Sequence, residues 1–172
     1  MYQVGDNILY GIHGVCKIVG REERLSDRKR VEYLVLEPLE QNGARFFVPM
    51  HNPVAMSKLR PVMMKEELDA LLASPDVRRD GWIADENQRK QHYRSLITSS
   101  DRKALLCMVR TLHQRMLLLN VEGKRLHLCD ENFLRDAQRL LDSEFSLVLG
   151  VSPEQVRGYV LDHMGLEEII PE

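Results

Sequence analysis

Hydrophobic and polar positions follow a short-period pattern over the first sixty residues, and the period then changes. Asn7–Tyr10 and Gly14–Val19 read as strands separated by a turn-like break at Gly11-Ile12-His13. From Arg30 to Pro38, Val31, Tyr33 and Val35 alternate with Glu32, Leu34 and Leu36, the two-residue repeat of a strand. Ala44–Val48 is the next candidate. Between the last two lies Glu40-Gln41-Asn42-Gly43, and Asn-Gly is a strong hairpin signal. Pro49 and Pro53 end this region, and Leu59-Arg60-Pro61 reads as a further break. Short β-rich runs joined by polar turns imply a small, strongly bent sheet or barrel.

From Lys65 onward the spacing is helical. Glu66–Ala73 reads as a short helix stopped by Ser74-Pro75, and a linker-like stretch with Gly81 follows. Asp85–Ile97 is expected to be a helix dense in Arg89, Lys90 and Arg94. Ser99-Ser100-Asp101 offers an N-cap for the next helix. Its Leu105, Val109, Leu112, Met116 and Leu119 recur at the three-and-four spacing of a buried stripe. Gly123 interrupts it. Asp130 can cap another helix, with Phe133, Ala137, Leu140, Leu141, Phe145 and Val148 on one face and Gly150 at its end. Ser152-Pro153-Glu154-Gln155 combines a Ser cap, Pro at the first helical position and Gln three residues on, and starts a last helix to about Asp162. The fold class is therefore α+β, with a β-rich module over residues 1–63 and an all-helical module over 64–172.

Charge adds a segregation that the net value of −2 conceals. Residues 1–65 carry a net +3, residues 66–77 a net −4, residues 78–125 a net +6 and residues 126–172 a net −7. A local basic block is what a nucleic-acid footprint needs, because phosphate attraction is local; a solvated helical face accounts for it equally well. The longest apolar runs are too short to span a bilayer, and the start of the chain shows no secretory pattern. A cytoplasmic location is expected. Cys16, Cys107 and Cys129 are odd in number and scattered, which argues for reduced thiols rather than a disulfide framework.

The sequence is poor in catalytic patterns: it has no nucleophile elbow, phosphate-binding glycine loop, dinucleotide fingerprint or zinc-protease helix. His127-Leu128-Cys129 lacks the repeated ligand pairs of a structural metal site, and His13 and His51 read as surface turn residues. No enzyme activity, metal or cofactor is expected. Trp82, the single tryptophan, lies in Arg78-Arg79-Asp80-Gly81-Trp82. Physics alone favours a core anchor there, since Trp has the largest apolar area to bury. The competing reading is an aromatic presented to nucleic acid, with flanking Arg side chains on phosphates.

Several stretches, in order, resemble one bacterial family. Tyr2-Gln3-Val4-Gly5-Asp6-Asn7-Ile8-Leu9-Tyr10, Ile12-His13-Gly14-Val15-Cys16-Lys17-Ile18, Tyr33-Leu34-Val35-Leu36-Glu37-Pro38-Leu39, Phe47-Val48-Pro49 and Leu59-Arg60-Pro61-Val62 resemble the polymerase-interacting module of the CarD family. That module type also occurs in transcription-repair coupling factors. Asp80-Gly81-Trp82, Arg89, Tyr93, Glu122-Gly123-Lys124 and Glu144-Phe145-Ser146-Leu147-Val148-Leu149-Gly150 resemble the family's helical DNA-binding part. The resemblance implies a Tudor-like sheet that docks on the RNA polymerase β subunit. It implies helices that contact promoter DNA at the upstream edge of the melted bubble, with a Trp wedged into the minor groove at the fork junction.

Carried over by position, Trp82 matches the wedge and Arg24 falls where the family can place a basic polymerase contact. Phe47 stands where relatives have Arg, with Arg45 two residues earlier on the same strand face, so the polymerase contact is expected to be chemically altered. Arg78, Arg79, Arg89, Lys90 and Arg94 are the candidate phosphate partners by charge. The expectation is a monomeric transcription regulator that stabilises the open promoter complex and has no membrane partner. The alternative is a protein–protein adaptor on polymerase without direct DNA contact.

Overall fold

The computed structural model of the chain describes residues 2–26, 28–40, 43–79 and 81–166. Gln41-Asn42 of the expected hairpin turn, Asp80 beside Trp82 and the side chain of Arg78 lie outside what is described. The fold is α+β: an antiparallel five-stranded sheet followed by helices. The chain divides into two compact units, Met1–Val62 and Met63–Glu172.

In the first unit, β1 (Asn7–Tyr10) runs through a 3-10 turn at Gly11–His13 into β2 (Val15–Ser26). β3 (Lys29–Pro38), β4 (Phe46–Pro49), α1 (Pro53–Met56) and β5 (Leu59–Pro61) follow. The sheet order is β4-β3-β2-β1-β5. β2 is twice as long as its hydrophobic signal. A register shift between Ile18 and Gly20 lets the polar stretch continue, with Arg21 opposite Leu34, Glu22 opposite Tyr33 and Arg24 opposite Val31. A bulge of this kind bends the strand and strengthens its twist.

Leu59-Arg60-Pro61, expected as a break, instead forms β5 and pairs with β1 through Ile8↔Pro61, Leu9↔Arg60 and Tyr10↔Leu59. It is an edge strand, where a Pro without an N–H is tolerated. Pro53 likewise starts α1 rather than simply ending the strands. The Asn52 side chain accepts the N–H groups of Val54 and Ala55 at 3.0 and 3.1 Å. One sheet face buries Ile8, Cys16, Ile18, Leu34, Leu36, Val48 and Leu59, with Tyr2, Met50 and Met56 closing over them.

The second unit holds α2 (Lys65–Ala73), a 3-10 turn at Pro75–Arg78, α3 (Glu86–Ser99), α4 (Arg102–Val121), α5 (Leu128–Leu149) and α6 (Pro153–Met164). Asp85 caps α3 through Gln88 N–H, and Asp101 caps α4 through Ala104 N–H, both at 2.8 Å. Ser152 and Gln155 form the reciprocal capping box of α6. α5 begins two residues before Asp130, so Asp130 is no cap. It lies in the first turn with its side chain buried.

Leu105, Val109 and Leu112 of α4 meet Ala137, Leu140, Leu141 and Phe145 of α5 and Val156 and Val160 of α6 in one core. Glu144 is only 1% exposed; it takes a bidentate pair from Arg102 at 2.6 and 2.7 Å and the Met63 N–H at 2.8 Å. Among the described residues no helix is long and apolar enough to cross a membrane.

Candidate functional site

Each unit gathers part of the expected site. In the first unit, the sheet face opposite the core carries Val31, Tyr33 and Val35 of β3. Cross-strand pairing sets Phe47 directly beside Val35. The Arg24 guanidinium reaches over from β2 and lies 3.6 Å from the centre of the Phe47 ring. Glu22 fixes its far side with two hydrogen bonds, from Nε at 3.1 Å and Nη2 at 2.9 Å. Arg45 donates to Glu37 at 2.8 Å, and Glu37 is two residues from Val35, hence on the same face. Arg24, Arg45 and Phe47 are thus brought onto one surface.

Phe47 therefore has a definite local role: it is the platform on which an exposed Arg24 is held flat. Such a cation–ring contact contributes about 0.5–1 kcal/mol at an exposed position. Its larger consequence is orientation, because the contact with Phe47 and the bonds to Glu22 restrict a long side chain that would otherwise sample many rotamers.

In the second unit, Trp82 is half-buried and packs against the helical core. Physics alone favoured a core anchor and the resemblance a wedge; the structure gives the ring a packed side and an exposed remainder. Two guanidinium groups lie over it, Arg89 at 4.3 Å and Arg115 at 4.9 Å from the ring centre. The backbone just before it is tied to α4, since Gly81 N–H donates to Thr111 Oγ1 at 3.1 Å. The ring borders an open groove of about 560 Å³ lined also by Gln114, Arg115, Leu117 and Leu118 of α4.

The candidate cations separate once placed. Arg79 is exposed and paired with Asp76 at 3.0 Å. Arg94 is exposed, and Lys90 one turn before it pairs with Glu86, whose carboxyl that ammonium holds below its usual range. Lys90 and Arg94 share a helix face by their spacing of four.

Arg89 departs from the expectation of a phosphate partner. It is 3% exposed and forms a fork with Asp130, itself 0% exposed, at 3.0 and 2.9 Å. The hydrogen bonds that Arg89 donates to Asp130 raise the pKa of its guanidinium further above its ordinary value. Arg102 is likewise taken up by Glu144, and Arg110 donates to the Met164 carbonyl at 2.8 Å. The +6 block is therefore partly internal wiring and not a uniform basic face. Arg115, which the motif reading did not single out, stands at the ring; its only sequence signal was membership of the basic block.

The comparisons with known proteins bear on the first unit. Residues 2–62 match the family model of the CarD-like/TRCF RID domain. No curated protein matches the chain. The match spans the bent sheet together with the surface that carries Arg24, Phe47 and Arg45. The N-terminal unit is thus similar to the CarD-like/TRCF RID domain, a domain of the RNA polymerase-interacting kind.

Proposed function

We propose that the protein is a transcription regulator of the CarD type that holds RNA polymerase and promoter DNA together and stabilises the open complex. The observation that carries the reading is the pairing of two different units along one chain. A polymerase-interacting domain at residues 2–62 continues into a helical unit that presents a half-exposed Trp82 flanked by guanidinium groups. In this reading the N-terminal unit docks on the β subunit through the face bearing Arg24, Arg45 and Phe47. The helical unit meets the upstream edge of the melted DNA, where Trp82 wedges at a minor-groove step and Arg78, Arg79, Lys90, Arg94 and Arg115 supply positive charge. The protein acts as a cytoplasmic monomer, without chemistry and without a cofactor.

The mechanism is linkage. Docking raises the local concentration of the helical unit at the promoter. Preference for distorted, partly opened DNA over closed duplex then shifts the opening equilibrium by that preference and no more. The test is the lifetime of holoenzyme complexes on a forked promoter under competitor challenge, with and without the protein. Longer-lived complexes that depend on Trp82 support the proposal; unchanged lifetimes with intact polymerase binding defeat its DNA half.

A second reading draws support from the internal pairing of Arg89, Arg102 and Arg110 and the packed side of Trp82: an adaptor that binds polymerase without touching DNA. It predicts that crosslinks from the helical unit to promoter DNA are absent in the same complexes.

A further inference from the structure

We infer that Arg89 is a positioning residue: held by Asp130, it sets the orientation of the Trp82 ring by gripping the loop that carries it. The inference deepens the reading of Trp82 as the DNA contact and draws its functional consequence from that reading, while its geometry stands apart from it. Residues 81–84 lead into the N-cap of α3 at Asp85, so the ring rides on a short connector rather than on a regular element. Two anchors hold that connector. Upstream, Gly81 N–H is tied to Thr111 on α4. Downstream, Arg89 Nη1 donates to the carbonyls of Ile83 at 2.8 Å and Ala84 at 3.3 Å. The same guanidinium lies over the Trp82 ring at 4.3 Å.

The plane of that guanidinium is itself fixed. Nε and Nη2 both donate to Asp130, whose position is set by the first turn of α5, where a carboxylate also suits the helix N-terminus. One side chain from α3 thus couples a buried carboxylate on α5 to the backbone and the ring of the Trp82 loop. A buried pair of this kind is weak support for stability, since apolar replacements can serve as well; what it supplies is a defined geometry. Lysine at this position keeps the charge but has no planar fork and cannot make all of these contacts together.

Because Trp82 is the single tryptophan, its fluorescence reports the loop directly in the full chain. The test compares wild type, Arg89→Lys, Asp130→Asn and the paired apolar replacement Arg89→Met with Asp130→Leu. The last removes both buried charges together and so guards against a fold lost through one orphaned ion. The readouts are time-resolved anisotropy and acrylamide quenching of Trp82, far-ultraviolet circular dichroism, and affinity for a forked duplex.

The expected result is native helical content with faster local ring motion and stronger quenching in each folded variant, and an affinity for forked DNA lower by about tenfold. Adding Trp82→Ala should abolish the effect of Arg89→Lys on DNA affinity, because a positioning residue acts only through what it positions. Unchanged ring motion and quenching in every folded variant would overturn the proposal. So would a loss of DNA affinity from Arg89→Lys that persists in the Trp82→Ala background, which would make Arg89 a direct contact. If Trp82→Ala itself leaves forked-DNA binding untouched while Arg89→Lys still frees the ring, the positioning role stands and the DNA reading falls.

Discussion

Cys16 shows what burial does to one group. It is fully buried in the sheet core, and that burial pushes its thiol up from an ordinary 9.0 to about 11. The folded state therefore favours the protonated thiol, while the unfolded state ionises two units earlier. Stability carried by this residue is complete below pH 9 and is lost as pH rises from 9 toward 11, because the unfolded chain releases its proton first. Thermal melts should show that decline, and Cys16→Ala should flatten it. Alkylation of the native protein at pH 8 should leave Cys16 unmodified until the sheet unfolds; labelling at the rate of a free thiol would contradict its burial.

On the opposite face of the same sheet, Phe47→Ala should free Arg24 and, like Arg24→Glu or Arg45→Glu, weaken binding to a β-subunit fragment several-fold at low salt. Surface charges act mainly on encounter, so the difference should shrink as salt rises. Equal affinity of all three variants at low salt would remove this face from the contact.

At this scale resemblance singled out Trp82, Arg24 and Phe47 in the sequence, whereas the internal pairing of Arg89 with Asp130 was not legible there. Counting cations reveals density, but whether a cation is free depends on a carboxylate 41 residues away.

Elements were legible where local chemistry decides them. Asp101 and Ser152 cap helices as their sequence contexts imply, since a cap is an interaction over three residues; Asp85, read as the first residue of a helix, is the cap of α3. The second half of β2 was invisible because Arg21-Glu22-Glu23-Arg24 has no apolar alternation; its strand character comes from pairing with β3. β5 has three residues and a proline, and exists because β1 offers it an unpaired edge. Asp130 fits a cap by residue type, but it lies in the first turn of α5, where a carboxylate suits the helix N-terminus and where it pairs with Arg89.

The joint between α4 and α5 carries a prediction of the same tertiary kind. Glu144 on α5 accepts from Arg102 of α4 and from the backbone of Met63, at the point where the chain enters the helical unit. Glu144→Ala would remove an acceptor from the partly buried Arg102 guanidinium and from the Met63 N–H, and should cost up to about 3–5 kcal/mol. Urea titration reads this as a lower midpoint. A loss below about 1 kcal/mol would show that the joint is held by apolar packing alone. Glu144→Gln should retain the Met63 bond and fall between the two.

At the scale of the whole molecule, one unit of a polymerase-interacting type and one helical unit with a half-exposed Trp82 are joined in a single chain, and the proposed activity needs both. Trp82→Ala tests that division, because it alters one unit and should leave the other untouched. Since the ring is half-buried on the helical core, its loss should lower stability, but by less than the ~3–5 kcal/mol typical of a fully buried Trp. Affinity for the β-subunit fragment should be unchanged, as Arg24, Arg45 and Phe47 all belong to the first unit. The open-complex equilibrium should fall by about 5- to 150-fold, the range that a lost base–aromatic contact of ~1–3 kcal/mol gives. In the proposed wedge the exposed part of the ring meets a base step, beside the guanidinium groups of Arg89 and Arg115. Trp82→Phe, which retains a wedge, should then recover part of the effect, whereas Trp82→Arg, which keeps affinity for phosphate but has no ring, should not. Melting, fragment binding and promoter opening measured on these variants separate the possibilities. A large drop in melting temperature with normal opening at permissive temperature makes Trp82 a core anchor only. Loss of opening in a protein that melts near wild type and still binds polymerase makes it the point at which the regulator grips DNA.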